Sequence, residues 1–263
     1  MHIYRDGAVR ALDGLDLSLE PGERVALVGQ NGSGKTTLVR HLNGLLRPAA
    51  GRVVVDGIDA AGLHVAQLAR RVGLVFQDPD RQIFAGSVRA EVEFGPRNLR
   101  FSDAQRGAAV EEALAAVGLA EEADTNPYDL GGSRRKLLAL ASVLAMGTPV
   151  LILDEPTTGQ DLRGVARVRQ VIESAHAAGR TVVAISHDMR FVAEMFERVV
   201  VLRAGRVILD GPPAEVFAER SWPLLQSTFL EPPLAARAGA RLGLGSTPTD
   251  ASLIAALVSE PRP

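Results

Sequence analysis

An α/β fold built on a mostly parallel sheet is what this 263-residue chain predicts, and three observations carry it. Short apolar runs bounded by turn residues alternate with helical segments, the pattern of a parallel sheet covered on both faces. One such run leads into the glycine-rich loop Gly29-Gln30-Asn31-Gly32-Ser33-Gly34-Lys35-Thr36, and a helical segment follows it. Another, Val150-Leu151-Ile152-Leu153, ends in the adjacent carboxylates Asp154 and Glu155.

Taken in order, strands are expected at Val25–Val28, Arg52–Val55, Val72–Phe76, Val150–Asp154, Thr181–Ser186, Val199–Leu202 and Arg206–Leu209. Arg203-Ala204-Gly205 would join the last two as a hairpin. Helices are expected at Lys35–Leu46, Ser102–Val117, Ser133–Met146, Asp161–Ala178 and Asp188–Phe196. Residues 78–147 lack strong strand signals and read as a helical subdomain inserted between two strands. After Gly211-Pro212-Pro213 the composition turns to Ala, Arg, Pro and Leu, so residues 212–263 read as a small helical C-terminal extension. Its short helices are expected at Glu231–Leu242 and Asp250–Val258.

Composition narrows the function. The 46% hydrophobic content supports a sizeable core, and 4% aromatic content means one packed mainly by Leu, Val and Ala. A net charge of −2 supplies no basic field to recruit nucleic acid. Zero cysteines exclude disulfides and thiolate metal sites. The opening residues are too polar for a signal peptide, and the uncharged run Leu137 to Leu153 is broken by Gly147-Thr148-Pro149. A soluble chain is expected, with membrane association through a partner.

The loop residues have distinct tasks. Gly29, Gly32 and Gly34 let the backbone curl so that N–H groups converge on phosphate oxygens, while Asn31, Ser33 and Thr37 line the same turn. Lys35 would bridge the β- and γ-phosphates and the Thr36 hydroxyl would ligate magnesium. The following helix directs its N-terminal dipole at the anion. At the end of the second strand, Asp154 would hold magnesium through water and Glu155 would act as the base for the attacking water. Gln77 closes the strand Val72–Phe76 and is placed to reach metal and water; His187 follows Thr181–Ser186 and is placed to reach a γ-phosphate.

With these elements in this order, residues 4–211 resemble an ABC-type ATPase, the nucleotide-hydrolysing subunit of ABC transporters. The resemblance rests on the Gly29–Thr36 loop, Gln77, Asp154-Glu155-Pro156, the D-loop-like turn Thr157-Thr158-Gly159-Gln160-Asp161, and His187. It implies a P-loop ATPase core over 1–211, ATP and Mg2+ as ligands, and Tyr4 as the aromatic that stacks on adenine. Gln77-Asp78-Pro79-Asp80-Arg81-Gln82-Ile83-Phe84 and Leu230-Glu231-Pro232-Pro233 further resemble energy-coupling factor transporter ATPases, which drive uptake of vitamins or of cobalt and nickel ions. That resemblance implies a second ATPase subunit, a membrane scaffold subunit, a substrate-binding membrane subunit, and a peripheral position on the cytoplasmic face. It also implies movement at the Gln77 segment, with Arg81, Gln82, Ile83 and Phe84 as candidates for the docking surface (the alternative being that Ile83 and Phe84 pack within the helical subdomain), and a dimerising C-terminal extension.

The chain departs from the family at its signature segment. Leu130-Gly131-Gly132-Ser133-Arg134 stands where Leu-Ser-Gly-Gly-Gln is normal. Gly131 lacks the hydroxyl that contacts a γ-phosphate across the dimer, Ser133 adds a β-carbon at a point of close approach although its own hydroxyl could substitute or cap the helix, and Arg134 adds a cation. The expectation is a chain that hydrolyses ATP with its own residues but offers a weakened signature, as a homo- or heterodimer with the heterodimer favoured. The alternative is a nucleotide-binding scaffold with weak hydrolysis.

Overall fold

The computed structural model describes residues 2–3 and 10–259. Two compact units make up the chain: residues 1–19, 23–38 and 185–263 form one, and 20–22 with 39–184 form the other. The expected aromatic Tyr4 lies outside the described residues.

In the first unit, the strand Arg24–Val28 pairs in parallel with Arg198–Arg203, from Val25 opposite Arg198 to Val28 opposite Val201. Val25, Ala26, Leu27 and Val28 are buried, as are Val199 to Leu202, so both strands carry apolar side chains on each face. Arg206–Gly211 returns antiparallel after a two-residue turn at Ala204 and Gly205, whose φ angles of 48° and 77° are those of a hairpin with matched twist. Arg198 ties the strand ends together, meeting Asp210 at 2.6 Å and Glu23 at 3.1 Å. The helix Met189–Met195 is capped by Asp188, and its Phe191 packs edge-on to Phe196 with centroids 5.7 Å apart. The C-terminal helices Leu234–Arg241 and Asp250–Ser259 follow; Thr247 Oγ1 donates to the Ala235 carbonyl at 2.8 Å, and a β-carbon on Gly239 would lie only 2.0 Å from that hydroxyl.

In the second unit, Val72–Val75 pairs in parallel with Val150–Asp154, from Val72 opposite Val150 to Val75 opposite Leu153. Thr181–Ile185 lies beside Val150–Asp154 with all five residues buried. Between Asp78 and Met146 every element is helical, as expected. Val88–Asn98 starts on a Ser87 cap. Asp103–Val117 opens with a Ser102–Gln105 capping box and stops at Gly118 in the left-handed region, and Gly132–Leu144 carries the buried Leu137 to Val143. Leu162–Ala177 starts on Asp161.

Some expected elements contract. The helix after the loop ends at Leu42, because Gly44 takes a left-handed φ of 77°. The expected strand Arg52–Val55 keeps only Val54–Val55, which pairs with Ile58–Asp59 around the positive-φ residues Asp56 and Gly57. The expected docking surface is halved. Ile83 is 3% exposed. The Gln82 amide turns inward, donating to the Ala139 carbonyl at 2.7 Å and to Ser142 Oγ at 2.9 Å while accepting from the Phe76 N–H. Phe84 stays exposed, edge-on to Phe94 with centroids 4.6 Å apart. No helix among the described residues is long and apolar enough to cross a membrane.

The buried Glu91 carboxylate fixes this loop, accepting from the Phe84 and Ala85 N–H groups at 2.9 and 2.8 Å. Glu91→Ala strands two backbone donors at a cost of about 2 kcal/mol. A melt followed by circular dichroism should show a midpoint about 4–8 °C lower, and Glu91→Gln, which keeps an acceptor oxygen, should recover most of it.

Candidate functional site

The first unit supplies a phosphate-type loop. Gly29 and Gly34 hold φ angles of 146° and 107°, conformations that residues with a β-carbon avoid. Space forbids the β-carbon as well: at Gly29 it would stand 2.2 Å from the Leu202 carbonyl oxygen, and at Gly34 2.5 Å from that of Ala11. The loop is locked from below, since Gly205 N–H donates to Ser33 O at 2.9 Å and Asp13 N–H to Gly205 O at 3.1 Å. Asn31 and Gly32 are exposed at its crest, Ser33 and Thr37 are buried, and Thr36 is half-buried. Ser33 Oγ is buried with no hydrogen-bond partner, a polar atom that a phosphate oxygen would satisfy. Lys35 begins the helix, 6% exposed, with its ammonium donating to the Gly29 and Gln30 carbonyls at 2.6 and 3.0 Å. One cation, a crest of backbone amides and a helix N-terminus make an anion site. His187 joins this half: with Gln30 and Asn31 it lines an open cavity of about 450 Å³, bordered by Thr228, Phe229 and Leu230. Sequence reasoning missed that the C-terminal extension reaches the rim of this cavity. Phe229, 86% exposed at a positive φ of 56°, carries no sequence pattern that would reveal it.

The second unit supplies the carboxylates. Asp154 and Glu155 are 6% and 4% exposed at the carboxyl end of Val150–Asp154. Glu155 has a φ of 53°, a left-handed conformation that costs a residue with a side chain of order 1–3 kcal/mol and clusters at functional sites. Its Oε2 accepts from Thr158 Oγ1 at 3.1 Å. Exposed Gln77 lines a small recess with Asp154, Glu155, Gln160 and Lys136. Burial lowers the Lys136 pKa, and the Glu155, Asp78 and Asp154 carboxylates oppose that shift. Asp161 Oδ1 accepts from the Gly164 N–H at 2.6 Å, so it serves as a helix cap.

The altered signature is ordered. Gly131 and Gly132 are exposed at the start of Gly132–Leu144, with no side-chain cap. Arg134, expected as a cation near a triphosphate, pairs with Glu122. Arg135 meets Asp80 at 3.3 Å. Ser133 donates to Gln160 Oε1 within its own unit.

Comparison with known proteins matches residues 12–158 to the family described as ABC transporter. A putative ABC transporter ATP-binding protein of Methanosarcina acetivorans is 44% identical over 89% of this chain, and the chain spans 38% of that relative's length. The cobalt import ATP-binding protein CbiO of Rhodobacter capsulatus is 44% identical over 87% of this chain and 81% of its own. The energy-coupling factor transporter ATP-binding protein EcfA2 of Clostridium perfringens is 42% identical over 80% and 75%. Among solved structures, cbiO1 of Clostridium perfringens, described as part of the ABC transporter complex cbiONQ, superposes with a TM-score of 0.75 at 35% identity, covering 92% of this chain and 95% of that one. A dimeric ATP-binding cassette in a post-hydrolysis state with ADP and Pi superposes with a TM-score of 0.71 at 27% identity, covering 78% and 91%.

The loop geometry makes a direct prediction. Gly29→Ala forces the backbone away from Leu202 and should destabilise the chain by about 2–4 kcal/mol. Titration calorimetry with an ATP analogue should show binding lost at temperatures where circular dichroism still reports a folded variant.

Proposed function

The chain belongs to the ABC transporter family, and from that premise we propose that it is the ATP-binding and ATP-hydrolysing subunit of an import transporter of the energy-coupling factor type. The observation that carries the reading is the pairing of a locked anion loop with a buried, backbone-strained carboxylate in one chain. The relatives named for cobalt import and energy coupling support the transporter class.

In this reading the backbone amides around Gly29–Gly34 and the Lys35 ammonium bind the β- and γ-phosphates. Glu155 takes the proton of the attacking water, His187 contacts the γ-phosphate, and Gln77 is placed to reach metal and water. Tyr4 stacks on adenine. Thr36, Asp154 and Gln77 offer a hydroxyl, a carboxylate and an amide oxygen, an all-oxygen donor set that suits magnesium. Magnesium so held would neutralise charge on the phosphates. Gly131, Gly132 and Ser133 face a second ATPase subunit, with Asp161 in the D-loop beside them, and a heterodimer is favoured because the signature lacks its hydroxyl. A membrane scaffold and a substrate-binding membrane subunit complete the assembly and hold this chain at the cytoplasmic face. The extension 212–263 contributes to dimerisation; its last helix leaves Ile254, Leu257 and Val258 exposed, as a contact helix would.

The altered signature also favours a second reading, a nucleotide-binding scaffold with weak hydrolysis. Steady-state ATPase activity of the reconstituted complex separates the two. Glu155→Gln should keep ATP binding while turnover falls about 100-fold or more; unchanged turnover would remove Glu155 as the base. For the dimer, light scattering of the Glu155→Gln chain with ATP should show monomer alone and dimer once the partner ATPase is added. An ATP-dependent homodimer would defeat the heterodimer assignment.

A further inference from the structure

The helix Gly132–Leu144 begins inside the altered signature and grips the turn after Glu155 at two points. Ser133 Oγ donates to Gln160 Oε1 at 2.5 Å. One helical turn later, the Lys136 ammonium donates to the Thr158 carbonyl, and the Thr158 hydroxyl donates onward to Glu155 Oε2 at 3.1 Å. Within the turn itself, the Thr158 N–H reaches the Glu155 carbonyl at 3.3 Å and the Gln160 N–H reaches that of Thr157 at 3.2 Å. Those bonds lie at the long end of the N–H···O range, and the two contacts from the helix add to them. Gly164 completes the arrangement. A β-carbon there would lie 2.0 Å from Gln160 Oε1 and 2.9 Å from Ser133 Oγ, so the backbone is bare where the pair sits.

We propose that Ser133 is a positioning residue acting inside its own subunit: with Lys136 it clamps the turn at Thr158 and Gln160 and so sets the direction of the Glu155 carboxylate. This rests on the ATPase reading above. A residue in the left-handed region holds its place only when its surroundings over-determine it, and the clamp supplies that restraint. The substitution in the signature therefore has a use in cis, whatever it costs in trans.

The two roles predict opposite signs for one variant. Ser133→Gly restores the family's glycine. If the serine only weakens the face offered to a partner, turnover of the complex rises. If it is a clamp, kcat falls about three- to tenfold, the range one ordinary hydrogen bond supplies, while the ATP dissociation constant stays within about twofold. Gln160→Ala should match it, and the double variant should be no worse than either single. Lys136→Arg should retain most turnover and Lys136→Met should lose it. Hydrogen exchange on the nucleotide-free full chain gives a second readout: amides of residues 156–161 should exchange about three- to tenfold faster in Ser133→Gly and Gln160→Ala. Unchanged exchange, or turnover that rises or holds in Ser133→Gly, overturns the clamp. A wild-type complex that does not hydrolyse ATP sinks the ATPase reading instead, and the exchange data still decide whether the clamp exists.

Discussion

Leu202 and Ala11 present carbonyl oxygens so close to the phosphate loop that Gly29 and Gly34 have no room for a β-carbon, and both sit at φ angles a β-carbon would resist. The rest of the nucleotide chemistry depends on this contact. With the loop pressed against the Arg10–Leu12 strand and the Ala204–Gly205 turn, its backbone is held in place and Lys35 starts its helix at a fixed position. The affinity of such a loop comes from amides that need no reordering when an anion arrives. Rigidity at the floor thus becomes binding energy at the crest.

Glu155 poses the complementary problem. A base must be buried enough to be directed and yet hold a proton-accepting oxygen toward its water. Glu155, the proposed base, is buried on a left-handed backbone, with the buried carboxylate of Asp154 next to it in sequence. Both features are unfavourable on their own. Lys136 offsets them at once, adding positive charge near the pair and anchoring Thr158. The half-buried lysine is tolerated because it satisfies two needs with one side chain.

Legibility followed sequence distance. The strands Arg24–Val28 and Val150–Asp154, the loop between Gly29 and Thr36, and the helical run from Asp78 to Met146 are encoded by neighbouring residues, so pattern and composition reveal them. The Ala204–Gly205 hairpin is local too. The Val54–Asp59 hairpin had a usable signal, Asp56-Gly57 between short apolar pairs, that was not read. What stayed hidden joins distant residues. Gln82 reaches Ala139 across 57 positions, and Ser133 reaches Gln160 across 27. No window of sequence contains both partners, so neither contact is visible to a pattern of neighbouring residues. The φ of Glu155 is equally invisible, since glutamate is not a residue type that advertises a left-handed backbone.

The signature departures gain a common physical sense from these contacts. In a sandwiched ATP site, a signature segment has one function toward the opposite nucleotide and another toward its own catalytic turn, because the same helix carries both. Removing the hydroxyl at Gly131 weakens the first; placing one at Ser133 adds to the second. Arg134 is drawn aside into a pair with Glu122. A subunit altered in this way keeps its own hydrolytic half well ordered while giving less to its neighbour's. On the proposed reading, such an asymmetry suits a neighbour that is a different chain with an intact signature. In a pair of identical chains, both sites would carry the deficit at Gly131, and the Ser133 contact would have to offset it in each.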